Sequence, residues 1–152
     1  MEKGEFLYLL KNARQAWEKF LAQIPAEQYD LPGETGAWAV KDVVAHITWY
    51  DQEMVDLLIS HTLAGSDWWN LALDERNRLI YEQNHCRPLQ EILAQNRQAY
   101  AELWQLAQQL DENDLNDPTR FKDMPLEWRP WEVIASNTYE HYLDHIPPAR
   151  ES

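Results

Sequence analysis

Apolar side chains recur every three or four positions between Glu2 and Ile24, at Phe6, Leu9, Leu10, Ala13, Trp17, Phe20 and Leu21. That spacing predicts an amphipathic helix, and Pro25 closes it. Pro32, Gly33 and Gly36 then punctuate a loop over Tyr29 to Trp38. A second helix begins near Trp38 or Val40 and runs to about Leu63, with Val40, Val44, Ile47, Met54 and Leu58 along one stripe. Asp42 sits where a carboxylate suits the positive end of the helix dipole. Gly65 and Ser66 break the pattern, and Trp68, Trp69 and Asn70 open a connector with a short helical candidate from Asp74 to Asn84. A lid or pocket wall fits this stretch.

Pro88 is suited to the first position of a third long helix, where its missing N–H costs nothing, and Leu89, Ile92, Leu93, Tyr100, Leu103, Leu106 and Leu110 carry it onward. The acidic run Asp111 to Asp117 reads as a solvated helix end and turn. From Pro118 to Arg129 no period is sustained, which predicts a long excursion. Pro130 opens a last helix, continuous from Trp131 to about His145, that stops before Pro147 and Pro148. Four long helices, a short one between the second and third, and no strand-like alternation predict an all-α antiparallel four-helix bundle. Ala45, Thr48 and Trp49 are echoed at constant offset by Ala135, Thr138 and Tyr139, too few matches to make a repeat.

Composition narrows the functional classes. A chain of 152 residues, 45% hydrophobic and 26% charged, is expected to fold as a single domain over residues 1–152. Eight Trp and seven Tyr favour pockets and interfaces, since these rings bury large areas while keeping a polar edge. The formal net charge of -13 repels nucleic acid and anionic lipid surfaces. The lone Cys86 suits a reducing compartment, and the apolar run Phe6 to Leu10 is too short for an export signal, so the cytoplasm is expected. No apolar run approaches the roughly 20 residues that a membrane helix requires.

His141 and His145 stand one turn apart on one face of the last helix, and Ile134 and Thr138 on the same stripe turn that face inward. His46 on the second helix, beside Val43 and Ile47, is a candidate third ligand for one metal ion. Three neutral imidazoles leave a zinc-like ion an open position, the arrangement of a catalytic site, where the pKa of a bound water falls to roughly 7 or a thiol binds as thiolate. The same His pair could instead cap the negative end of its helix, and spacing leaves both readings open. Tyr50 and Glu53 share a face with His46 and are placed to hydrogen-bond a substrate, or else to serve as packing and a solvated carboxylate. Asn137, one turn before His141, is a pocket candidate, and Asp144 could orient an imidazole. Trp49, Trp68 and Trp69 either line an apolar cavity or fill a core. His61 and His85 read as exposed and remote, and Cys86 as a small hydrophobe.

The segment Trp38-Ala-Val-Lys-Asp-Val-Val-Ala-His46-Ile-Thr-Trp-Tyr50, with Asn137-Thr-Tyr-Glu-His141-Tyr-Leu-Asp-His145, resembles the DinB/YfiT-like superfamily of four-helix bundles over nearly the whole chain. The resemblance implies that His46, His141 and His145 coordinate nickel, zinc or a related divalent ion. It further implies a metal-dependent hydrolase or thiol transferase that activates water or a low-molecular-weight thiol against a small electrophile. The Trp-rich connector and the Asn137 to His141 stretch also resemble the ClbS/DfsB branch, which implies the alternative of a resistance protein that sequesters a toxic small molecule without metal. Homodimers are the expected assembly.

Overall fold

The computed structural model describes residues 1–32 and 38–147. The middle of the loop expected between Tyr29 and Trp38, with Gly33 and Gly36, lies outside the described residues, as does Pro148. Helix α1 spans Lys3–Ala22, α2 Val40–Ser60, α3 Leu73–Asn84 and α4 Leu89–Gln109; α5 spans Glu112–Asn116, α6 Pro130–Asn137 and α7 Tyr139–Asp144. No strand forms among the described residues, only an isolated bridge between Thr62 and Lys122. The chain is an all-α bundle, and among the described residues no helix is long and apolar enough to cross a membrane.

The stripes read from the sequence are the faces that pack. Phe6, Leu10 and Trp17 of α1 are wholly buried with Ile47 of α2, Leu103 of α4, Ile134 of α6 and Tyr142 of α7. Arg14 donates Nη2 to Asn96 Oδ1 at 2.8 Å and Lys3 reaches the Gln108 carbonyl, so α1 runs antiparallel to α4. His46 and Asp51 of α2 meet His145, the C-cap of α7, and Tyr142 within it, so these helices also oppose. Lys41 reaches the Arg87 carbonyl and Asn96 Nδ2 donates to Thr48 Oγ1 at 3.0 Å, which sets α2 and α4 in the same direction. The returning helix α3 makes that possible, with Asn77 beside Tyr50 and His85 beside Asp42.

Four elements depart from the sequence pattern. Helix α2 ends at Ser60, short of Leu63, because His61 turns left-handed at φ 50° and Leu63 then donates its N–H to the Lys122 carbonyl. The acidic run folds into α5: Asp111 Oδ1 accepts from the Asp114 N–H while Asp114 Oδ2 accepts from the Asp111 N–H, a reciprocal cap, and Leu115 is buried beneath it. The last helix is two helices. Thr138 Oγ1 donates to the Ile134 carbonyl at 2.7 Å, taking the acceptor that its own N–H would use, and that N–H goes to Ala135 instead. The backbone swings to φ -126°, ψ -96° at Thr138, the bend that such back-bonding favours. The excursion before Pro130 is also structured, with Phe121 and Met124 buried in the core.

Helix α7 is docked by a buried bond. Tyr142 donates its hydroxyl to Asp51 Oδ1 at 2.6 Å, both side chains being wholly buried. Burial pushes the Asp51 carboxyl from its ordinary 3.8 up to about 7, against the downward pull of that bond and of Arg14. Tyr142→Phe strips a buried carboxyl of its donor and is expected to lower the free energy of unfolding at pH 7 by about 1–3 kcal/mol in urea titrations followed by circular dichroism. A loss under about 0.5 kcal/mol would mean that the bond does not hold α7 in place.

Candidate metal centre

Helices α2 and α7 deliver the three imidazoles to one point. His46 Nε2 lies 3.0 Å from His141 Nε2, and His145 Nε2 lies 3.1 Å from that same atom. All three candidate ligand atoms fall within 4.8 Å of one another. Ligands about 2.0–2.1 Å from an ion, at angles between octahedral and tetrahedral, sit roughly 2.9–3.4 Å apart, so the two contacts at His141 match a shared ion. The hydrogen-bonding alternative fails on valence. A neutral imidazole nitrogen is either a donor or an acceptor, with a single proton or a single lone pair, so the His141 Nε2 atom cannot satisfy both neighbours at once. Three lone pairs shared by one cation would remove the conflict, and His46, His141 and His145 form a group that could hold a metal ion.

The surroundings keep the rings neutral. His46 is 4% exposed, and its pKa falls from 6.5 to about 3 through burial, then through His141, His145 and Arg76. Burial and His145 lower His141 to about 4, and burial lowers His145 despite the opposing pull of Asp144. The Nδ1 atoms of His46 and His141 are buried without a partner among the described residues, which supply neither ring with the orienting second-nitrogen hydrogen bond common in metal sites. Packing does that work: the Trp38 ring centroid is 5.1 Å from that of His46, and the Tyr50 ring lies 5.0 Å from His46 and 4.8 Å from His141.

The other sequence candidates scatter around this centre. Tyr50 turns its hydroxyl to α3, donating to Asn77 Oδ1 at 2.8 Å and accepting from Arg76 Nε at 3.1 Å. Glu53 Oε1 accepts from the Ser66 N–H at 2.7 Å and from Trp69 Nε1 at 2.6 Å, which ties the connector to α2. A Cβ at Gly65 would stand 2.6 Å from Glu53 Oε1 and 2.8 Å from Trp69 Nε1, so a larger residue there must displace one of these side chains. Glu53, Trp69 and Asn137 line a cleft of about 1010 Å³ between α2, the connector and α6. The imidazoles are not part of its wall, but Asn137 lies one turn from His141. Trp49 stacks on Trp68 at 6.1 Å, away from that cleft. Asp144 is exposed and makes no hydrogen bond to an imidazole among the described residues.

His85 is exposed, whereas His61 is half-buried and stacks on Phe121 at 4.8 Å, a correction to its reading as exposed. Cys86 is exposed and so does not pack as a small hydrophobe. The pattern of the sequence missed Trp38 as a wall of the centre, and it missed Arg76, Asn77 and Asp51. The first two of that trio lie on the short α3, whose apolar periodicity is weak, and a lone Asp inside an apolar stripe was the available signal for the third.

Metal sites in helical bundles are built from side chains on facing helices, and this bundle presents such a set. The family model of the DinB superfamily matches residues 9–146, and the chain belongs to that superfamily. A crystal structure of a protein from Streptococcus pneumoniae is similar to it with a TM-score of 0.80 at 16% identity, over 95% of this chain and 86% of that one. The crystal structure of an uncharacterised protein from Escherichia coli UTI89 gives 0.75 at 17% identity, over 94% and 87%. At these identities the likeness shows the fold alone. No curated protein matches the sequence.

The depressed histidines set a pH dependence for the metal-free protein. Their folded values lie below the ordinary 6.5, so as pH falls from 6.5 toward about 4 the unfolded chain takes up protons that the folded chain refuses, and stability drops. Asp51 acts oppositely: its raised value stabilises most below 3.8, an effect lost as pH rises toward about 7. Comparing the wild type with a His46→Gln/His141→Gln variant isolates the histidine part. The metal-free wild type is expected to lose stability relative to the variant between pH 6.5 and 4 in urea titrations, and parallel curves would contradict this.

Proposed function

We propose that the chain is a metal-dependent enzyme in which His46, His141 and His145 hold one nickel or zinc ion and a small electrophilic molecule is attacked by water or a low-molecular-weight thiol. The observation that carries this reading is the convergence of three Nε2 atoms whose contacts no neutral protonation pattern satisfies. When bound, a divalent ion supplies a Lewis-acid centre that favours the deprotonated nucleophile near neutral pH. Imidazole ligands suit both nickel and zinc.

The residues of the chain have separate tasks. The three imidazoles stay neutral, so their lone pairs remain available to a cation at physiological pH. Trp38 and Tyr50 pack against the His46 ring and fix its orientation. The Tyr142 bond to Asp51 sets the register of α7 against α2 and thereby the placement of His141. The cleft beside Asn137 and Trp69 is large enough for a small organic molecule. Its aromatic lining supports a second reading, a resistance protein that sequesters a toxic compound without using metal.

Protein purified without a metal-affinity tag is expected to carry close to one divalent ion per chain by elemental analysis, or to take one up on titration after chelation. Absence of both would overturn the proposal. A His141→Ala/His145→Ala variant that keeps its helical spectrum but no longer protects cells against a reactive electrophile supports the enzyme, whereas unchanged protection supports sequestration.

A further inference from the structure

Acidic residues outnumber basic ones 26 to 13, yet Arg76 has no carboxylate within salt-bridge reach among the described residues. Arg14, Arg78, Arg87 and Arg120 each reach one. Arg97 and Arg129 do not, but they stand exposed, where water solvates a lone cation well. Arg76 is half-buried on α3, with its guanidinium carbon 4.7 Å from the Trp69 ring centroid and 5.8 Å from that of Tyr50. Nε donates to the Tyr50 hydroxyl, whose own proton goes to Asn77, so the guanidinium plane is fixed. Among the described residues the two terminal nitrogens have no hydrogen-bond partner, and they are not sealed from solvent.

The neighbourhood selects for an anion. The Tyr50 ring that carries Arg76 also packs on His46 and His141, so the guanidinium and the three-histidine centre share one wall. Neutral imidazoles leave the double charge of a bound ion uncompensated, and Arg76 adds one more positive charge beside it. Glu53, which holds the Trp69 ring, has Oε1 committed to the Ser66 N–H and to Trp69 Nε1 and forms no salt bridge with Arg76. A planar fork with two free nitrogens, held on an indole face, matches a carboxylate in shape as well as charge. The Trp69 ring offers its partner an apolar surface.

We infer that Arg76 is the recognition residue for a small organic carboxylate, gripped by its two free nitrogens with the apolar body of the ligand on Trp69, beside the three-histidine centre. This deepens the proposed function by naming a substrate class, and rests on that reading only for the claim that the ligand is a substrate.

Benzoate and benzyl alcohol serve as probes, titrated into the full chain in metal-free and zinc-loaded forms while the NMR resonances of the Trp69 indole N–H and the Arg76 Nε–H are followed. Benzoate is expected to shift both resonances saturably and to bind about tenfold or more tightly than benzyl alcohol. Arg76→Gln is expected to lose that preference while keeping its helical spectrum and zinc uptake, and Arg76→Lys, which keeps the charge without the fork, to fall between. Equal binding of the two probes, or unchanged benzoate binding in both variants, would overturn the inference. If no zinc is taken up but benzoate still moves both resonances of the metal-free protein, the metal reading fails and this one stands. Zinc uptake without any benzoate response at Arg76 has the opposite meaning.

Discussion

Imidazole nitrogens offer one proton or one lone pair each, and His141 places its Nε2 within 3.0 and 3.1 Å of two others. Protonation does not relieve the mismatch, since a protonated His141 Nε2 still carries a single proton, and burial opposes charge on these rings and holds His46 and His141 far below the ordinary histidine value. A cation that accepts all three lone pairs would satisfy the cluster. Much else in the structure follows from keeping these rings neutral and converged: aromatic walls rather than carboxylates around them, and a polar anchor in the core beneath.

That anchor shows how the fold serves the site. His141 projects from a helix of only six residues, too short to hold its own register. The bond from Tyr142 to Asp51 and the ring contact of Phe6 with Tyr139 at 5.9 Å supply it, tying α7 to α2 and α1. The break at Thr138 frees α7 to take an angle set by these contacts rather than by α6. Asp51, Arg14, Asn96 and Thr48 extend a polar seam through the apolar interior, a feature better suited to fixing one arrangement than to adding stability.

The main helices were legible because their apolar stripes repeat over several turns, and Phe6, Leu10, Trp17 and Ile47 fell in the core as the periodicity required. The three histidines were legible as a set only with the family resemblance, since spacing could not tell a ligand pair from a helix cap. Local chemistry without a period stayed hidden. The reciprocal cap between Asp111 and Asp114 depends on side chains closing on backbone donors, and the kink at Thr138 on a hydroxyl taking one carbonyl. Arg76 became visible only when α3 was laid against α2, because its partners Tyr50 and Trp69 come from other elements.

X-ray absorption at the metal edge tests the central claim most directly, because it counts nitrogen ligands around the ion itself. Protein loaded with one equivalent of nickel or zinc is predicted to show three imidazole nitrogens at about 2.0–2.1 Å, falling to two in His46→Gln. A first shell with fewer than three imidazoles, or one unchanged by that substitution, would contradict the account.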